Sequence, residues 1–171
     1  MGLLSNNTFN NLNDLFINQL EDLYDAENRL IDALPKMANA ASAPPLKNAF
    51  MQHLEQTKGH ARRLEQIFGK IGRKPKRETC EAMKGLVREG AEMIDADGDS
   101  AVKDAALIAA AQRVEHYEMA GYGTVRTFAQ RLGLEDVAQT LQQTLNEEGD
   151  ADKRLTQLAE TGINSVASAA V

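Results

Sequence analysis

Residues 107–121 read Leu107-Ile108-Ala109-Ala110-Ala111-Gln112-Arg113-Val114-Glu115-His116-Tyr117-Glu118-Met119-Ala120-Gly121. At about 100° per residue, Leu107, Ala110, Val114 and Gly121 share one helical face, which Val125, Phe128 and Leu132 continue. Glu118 lies inside that apolar stripe and Glu115 one turn before it, an inward Glu-x-x-Glu pair. Three further segments carry the same anomaly. Leu12, Phe16, Leu20, Leu23, Leu30, Ile31 and Leu34 recur at three- and four-residue steps, and Glu27 completes the series. Leu46, Phe50, Leu54, Ala61, Leu64 and Phe68 form a stripe with Thr57 at its centre and His53 and His60 along one flank. Val137, Leu141, Leu145, Leu155 and Ala159 repeat, and the positions between Leu145 and Leu155 that should be apolar are Glu148 and Asp152.

Four amphipathic helices of this length predict an all-α bundle, and the acids in their stripes decide what it holds. Burying one unpaired ionised carboxylate costs several kcal/mol, so five would exceed a domain's stability of about 5–15 kcal/mol. Lys36, Lys47, Arg62, Arg63, Lys103, Arg131 and Lys153 fall away from the acids' faces, which leaves a pair of divalent metal ions as the economical counter-charge. Dinuclear carboxylate sites in bundles take a lone Glu from each of two helices and a Glu plus a His from each of the others. Glu27 and Glu118 fit the lone positions, His60 the second helix's imidazole, and Glu148 with Asp152 the fourth helix's ligands, each pair spaced to leave one face.

The segments Leu23-Tyr24-Asp25-Ala26-Glu27, His53-Leu54-Glu55-Gln56-Thr57, Asp104 to Gln112 running into Val114-Glu115-His116-Tyr117-Glu118, and Leu145-Asn146-Glu147-Glu148 with Asp152 together resemble the ferritin-like superfamily. The closest resemblance is to its YciF-type branch of bacterial, stress-associated bundles, and it covers nearly the whole chain. His60-Ala61-Arg62-Arg63-Leu64 is also similar to the second-helix ligand region of rubrerythrins, which implies a metal-binding role for His60. Two positions depart from the pattern. Thr57 stands where a Glu-x-x-His pair needs its Glu, and Ala151 stands three residues after Glu148 where a His would be. The resulting site is oxygen-rich and suits iron or manganese.

Each residue has a blander reading. Glu21, Glu55, Glu65 and Glu147 belong to solvated faces by their register. His53 is either a core-edge histidine bonded to a backbone or carboxylate group, or a ligand beside His60. Glu115, about 60° from Glu118, is either a ligand or an acid that supports one. Tyr24 and Tyr117 are either hydrogen-bond donors to the site or core-edge aromatics, and His116 lies off the stripe. Without metal, the acids would be neutralised by raised pKa values or by Arg113. Asp95-Ala96-Asp97-Gly98-Asp99-Ser100 imitates a calcium loop, but the sixth residue is Ser100 and the twelfth Ala106, so it reads as a turn and helix cap.

The chain of 171 residues supports one domain over 1–171, with helices expected at about 8–40, 45–70, 78–95, 101–132 and 135–161. Asn7 or Thr8 would cap the first helix, Pro35 would kink or fray it, and the tail after Gly162 would fray. The third, shorter helix, with Met83, Leu86, Val87, Gly90 and Ile94 on its apolar side, would occupy the long crossover that lets the flanking bundle helices run parallel. A net charge of −6 argues against a nucleic-acid partner, and the basic cluster Lys70, Arg73, Lys74, Lys76, Arg77 reads as a loop. A lone Cys80 and no signal-peptide or membrane-spanning run point to the cytoplasm.

The resemblance to rubrerythrins implies two divalent or trivalent Fe or Mn ions, bridged by Glu27 and Glu118, that react with peroxide or oxygen in a stress response. With no Cys-rich module present, an external donor would supply the electrons. The contrasting expectation is a non-enzymatic metal-binding or structural bundle, a homodimer, and a third is a metal-free scaffold for a partner protein.

Overall fold

The computed structural model describes residues 8–170. Helix α1 runs Leu12–Ala40 and starts four residues later than expected, because Asn11 and not Thr8 supplies the cap, its side chain accepting from Asp14 N at 2.9 Å. Asn7, the other expected cap, lies outside the described residues. Pro35 removes one backbone donor, yet α1 continues unbroken to Ala40. Helix α2, Pro44–Lys70, opens on two prolines whose missing N–H groups would have no intrahelical partner there. Its own cap residue, Ala43, has nothing to offer. Asp104 on a later helix accepts from Ser42 N at 2.8 Å and from Ala43 N at 2.7 Å, so the cap is tertiary.

Helix α3, Glu81–Asp95, is shorter at its start than the expected 78, with Cys80 Sγ accepting from Met83 N at 3.3 Å. Helix α4, Ser100–Arg131, is capped by Asp99, which accepts from Ala101 N and Val102 N; the calcium-like stretch is a turn and cap. Gly133, at φ +73°, closes α4 in a conformation that L side chains rarely adopt, and α5 begins two residues later and spans Glu135–Leu158. A π-helical turn, Ala159–Ile163, follows α5, and the tail after Gly162, expected to fray, continues into a last helix α6, Asn164–Ser168. Ala159 and Ile163 bury themselves against the core, and that apolar contact extends the helix beyond its polar surroundings.

The chain is all-α among the described residues, a ferritin-like four-helix bundle of α1, α2, α4 and α5. Helices α1 and α2 form one hairpin and α4 and α5 the other. Ser42 meets Asp104 while Asp22 meets Tyr117, so α1 and α4 are antiparallel; Arg63 meets Thr144 while His53 meets Glu148, so α2 and α5 are too. The order is up-down-down-up, and the crossover through residues 71–99 carries α3, which packs on α1 and α4. Asp25 anchors the basic loop of that crossover, accepting from Arg77, from Arg29 and from Cys80 N. Burial pushes its carboxyl up, but those donors outweigh burial and hold it below the usual carboxylate range.

Two apolar clusters fill the interior. One gathers Phe16, Leu20, Leu23, Leu64, Phe68 and Leu141, the other Leu30, Leu34, Leu46, Phe50, Leu107 and Leu155. At Gly121 a Cβ would stand 2.8 Å from Leu23 Cδ2, so glycine lets α1 and α4 approach closely beside the level of Glu27 and Glu118. No helix among the described residues is long and apolar enough to cross a membrane.

Replacing Asp104 by Ala leaves the two N–H groups at the start of α2 without their acceptor. We expect a loss of about 1–3 kcal/mol, with a melting temperature lower by roughly 2–4 °C per kcal/mol, measured by calorimetry.

Candidate metal centre

The two apolar clusters are separated by a polar layer. Along α1, Glu27 falls between Leu23 and Leu30; along α2, Thr57 and His60 fall between Leu54 and Leu64. On α4, Glu115 and Glu118 fall between Val114 and Tyr122, and on α5 Glu148 lies between Leu141 and Leu155. Glu27, Thr57, His60, Glu118 and Glu148 have no exposed surface, and His53 and Glu115 are nearly as buried. The helical period put these side chains inward, and the bundle stacks them at one level.

The ligand atoms form two groups. One atom each of His53, Glu115, Glu118 and Glu148 lies within 4.8 Å of the others, and so do atoms of Glu27, His60 and Glu148. His53 Nε2 is 3.3 Å from Glu115 Oε1 and 3.7 Å from Glu148 Oε2. His60 Nδ1 is 2.8 Å from Glu148 Oε1 and 3.4 Å from Glu27 Oε1. Proximity here is not hydrogen bonding. His53 Nε2, His60 Nδ1, Glu27 Oε2, Glu115 Oε2 and both oxygens of Glu118 and Glu148 are buried without a hydrogen-bond partner. Imidazole nitrogens and carboxylate oxygens converging without hydrogen-bond partners are what a cation would satisfy in exchange for their protons, so the residues fit a metal pair.

The imidazoles are oriented from behind. Glu147 Oε2 can only accept, so the 2.8 Å contact to His60 Nε2 places a proton there and turns Nδ1 to the site. Arg63 clamps the same carboxylate with Nη1 at 2.7 Å and Nη2 at 2.8 Å. On the other side Gln56 Oε1, 3.4 Å from His53 Nδ1, accepts and leaves Nε2 facing Glu115 and Glu148. Tyr122, fully buried, donates its hydroxyl to Glu27 Oε1 in a short bond.

Of the expected site residues, Glu27, His53, His60, Glu115, Glu118 and Glu148 come together and Asp152 does not. Asp152 sits on the α4–α5 seam, accepting from Gln112 Nε2 at 3.0 Å, with His116 Nε2 at 3.4 Å. The expected bridging pair is also divided: Glu118 belongs to the His53 group and Glu27 to the His60 group, and the acid common to both is Glu148. Sequence reasoning placed Glu147 on a solvated face, and it is only partly exposed beneath Arg63. Its role rests on Arg63, 84 residues away, which no local pattern reveals. Tyr122 was missed although its spacing of four from Glu118 offered a signal, since a buried tyrosine hydroxyl needs a partner. Tyr24 bonds to Glu65 and Tyr117 to Asp22 and Cys80, so neither serves the layer. Arg113 is exposed and does not neutralise the acids.

Burial drives the electrostatics. It pushes Glu115 and Glu118 well above the carboxylate range, reinforced by neighbouring acids, and lifts Glu27 to about 7 against the opposing pull of His60. Burial depresses His53. For His60 burial also acts downward, but the carboxylates of Glu148 and Glu27 overcome it and raise the imidazole to about 11. Burial alone would raise Glu147, yet Arg63 and His60 hold it down to about 2.

The signs give a pH dependence. Glu27 has a folded pKa above its unfolded value, so its contribution is fully present below about 4.5 and lost as pH rises through about 7. His60 contributes in the same direction, fully below 6.5 and lost only toward about 11. Metal-free protein is therefore expected to melt at progressively lower temperature between about pH 5 and pH 8. Added Mn(II), which needs deprotonated ligands, should stabilise more as pH rises. A melting temperature flat across that window in both states would contradict this electrostatic account.

The family described as Domain of unknown function (DUF892) matches residues 11–168. The chain is 46% identical to Protein YciF of Escherichia coli strain K12 over 157 residues, 91% of this chain and 95% of that protein. The crystal structure of the E. coli stress protein YciF superposes with a TM-score of 0.88 at 45% identity, covering 91% and 99% of the two chains. YcfI of Rhodopseudomonas palustris gives 0.85 at 40% identity over 90% and 98%. A Xanthomonas campestris protein shares the fold, with a TM-score of 0.72 at 19% identity over 92% and 97%. With the family profile spanning all but its ends and YciF nearly half identical, the chain belongs to the DUF892 family and is a homologue of YciF.

Proposed function

We propose that this chain is a stress-response protein of the cytoplasm, a homodimer whose bundle core binds two Fe or Mn ions. The carrying observation is the set of buried ligand atoms without hydrogen-bond partners, divided into two groups that share Glu148. In this reading His53, Glu115, Glu118 and Glu148 hold one ion, and Glu27, His60 and Glu148 hold the other. Asp152 stays outside and supports α4 through Gln112. A redox-active metal pair, when bound, would supply the electron-transfer chemistry by which peroxide or oxygen is reduced.

The chain's own residues set the conditions for it. Glu147 and Arg63 fix the tautomer of His60, and Gln56 fixes that of His53. Tyr122 holds a proton at Oε1 of Glu27, and burial of Glu115 keeps a carboxyl able to exchange a proton as local charge changes. The apolar clusters on either side of the layer keep bulk water out. The reducing electrons come from a separate donor protein.

One observation favours a second reading, in which the ions are bound for storage or structure without turnover. Thr57 is fully buried, its Oγ1 unpartnered, where a catalytic carboxylate would stand, and Ala151 supplies no ligand from α5.

Elemental analysis after anaerobic loading with Fe(II) or Mn(II) should find about two metals per chain, and Glu148→Ala should lose both, because it removes the shared acid. A rapid absorbance change of the iron-loaded protein with peroxide supports turnover, and bound iron indifferent to peroxide supports storage. Glu118→Met should raise the melting temperature of metal-free protein, since it removes an uncompensated buried acid, while reducing stabilisation by metal. Full metal content in Glu148→Ala and Glu118→Met together would refute the proposed ligand set.

A further inference from the structure

Two cavities end on the same pair of candidate ligands. One, of about 110 Å³, lies among α1, α3 and α4, passes Leu30, Met37, Val87 and Val114, and reaches His53 and Glu115. The other, of about 240 Å³, lies between α2 and α5 along Gln52, Gln56, Ala151 and Arg154, and reaches the same two residues. Both cavities are lined by His53 and Glu115, the residues that carry two of the buried atoms without hydrogen-bond partners, His53 Nε2 and Glu115 Oε2. Neither cavity is lined by Glu27 or His60 of the opposite half of the layer. Glu27 and His60 have no exposed surface, with Tyr122 against Glu27 and the Arg63–Glu147 clamp behind His60.

We infer that the α2–α5 cleft is the path by which a hydrated divalent cation reaches the core, arriving first at His53 and Glu115, and that the small side chain of Ala151 keeps it open. This rests on reading the buried acids as a metal centre. A hydrated ion cannot shed water among Leu30, Met37 and Val87 without replacement oxygens, so the apolar cavity is a poor path for it. The cleft has the right donors in order. Gln52 and Asp150 are exposed at its mouth, Gln56 is half-buried beside His53, and Glu115 lies at its end, so oxygen ligands can replace water stepwise. Ala151, at the position where a bulkier ligand is missing, lines the same cleft as Gln56 and Glu115, and its methyl group is the smallest obstruction a side chain can offer there. Arg154 is exposed at the same mouth, and its charge opposes an incoming cation.

The test is stopped-flow uptake of Mn(II) alone by the metal-free full chain, read by the metal leaving an indicator dye. Arg154→Glu should speed uptake on the order of tenfold at low salt, with the gain shrinking as salt rises. Ala151→Leu should slow it on the order of tenfold at unchanged final stoichiometry, as expected when the ion must wait for the passage to open. Val87→Phe, which fills the apolar cavity, should leave the rate at the wild-type value. Should Ala151→Leu fail to fold or lose stoichiometry, Arg154→Glu decides, being a surface change. Stoichiometric uptake at a rate that neither cleft variant alters, or that Val87→Phe slows, overturns the path while leaving the metal centre intact. A wild-type chain that takes up neither Mn(II) nor Fe(II) overturns the metal centre and the path with it.

Discussion

Glu148 lies between two imidazoles, buried and with neither of its oxygens hydrogen-bonded, and the rest of the molecule is arranged around the polar layer it centres. Four carboxyls and two imidazoles share one buried layer. Protonated His60 can balance only part of the negative charge when the acids ionise, and the remainder must be met by retained protons or by a cation. Burial raises Glu27, Glu115 and Glu118, so these three acids favour their neutral form in the fold. A cation competing for the same groups would displace those protons, so folding and the proposed metal binding would draw on one set of titrations.

The layer is tolerable because of what lies above and below it. Two apolar clusters close the bundle on either side, and the strained electrostatics occupy only a few helix turns between them. Gly121 lets α1 and α4 approach, and Asp104 pins the start of α2 to α4. Helix α3 and its anchored loop occupy the crossover, with Asp25 gathering Arg29, Arg77 and the Cys80 N–H at the point where the chain returns. These contacts lie outside the polar layer and hold the helices in the register on which its short distances depend.

Hydrogen bonds behind the two imidazoles fix which of their nitrogens face the buried acids. Each imidazole has one nitrogen committed to an acceptor, Glu147 or Gln56, which leaves the other directed inward. Glu147, read from sequence as a surface acid, is held by Arg63 and belongs to this support. Asp152, read as a ligand, serves the helix seam. Both differ from expectation because neighbouring turns of α5 face different partners, and a residue off the centre of the stripe reaches either the polar layer or the seam according to how the helix is rotated.

The sequence by itself determined that there are four long amphipathic helices, a short one in the crossover, and acids facing inward at Glu27, Glu115, Glu118 and Glu148, because a period of 3.6 residues sets which side chains share a face. It also located His53 and His60 on the flank of that face. Only the tertiary structure decided which atoms meet. The division into two groups about Glu148, the clamp of Arg63 on Glu147, the bond of Tyr122 to Glu27 and the displacement of Asp152 depend on the rotation and pairing of helices far apart in the sequence. Periodicity sets the direction of a side chain from its own axis and carries no information about the neighbour it reaches.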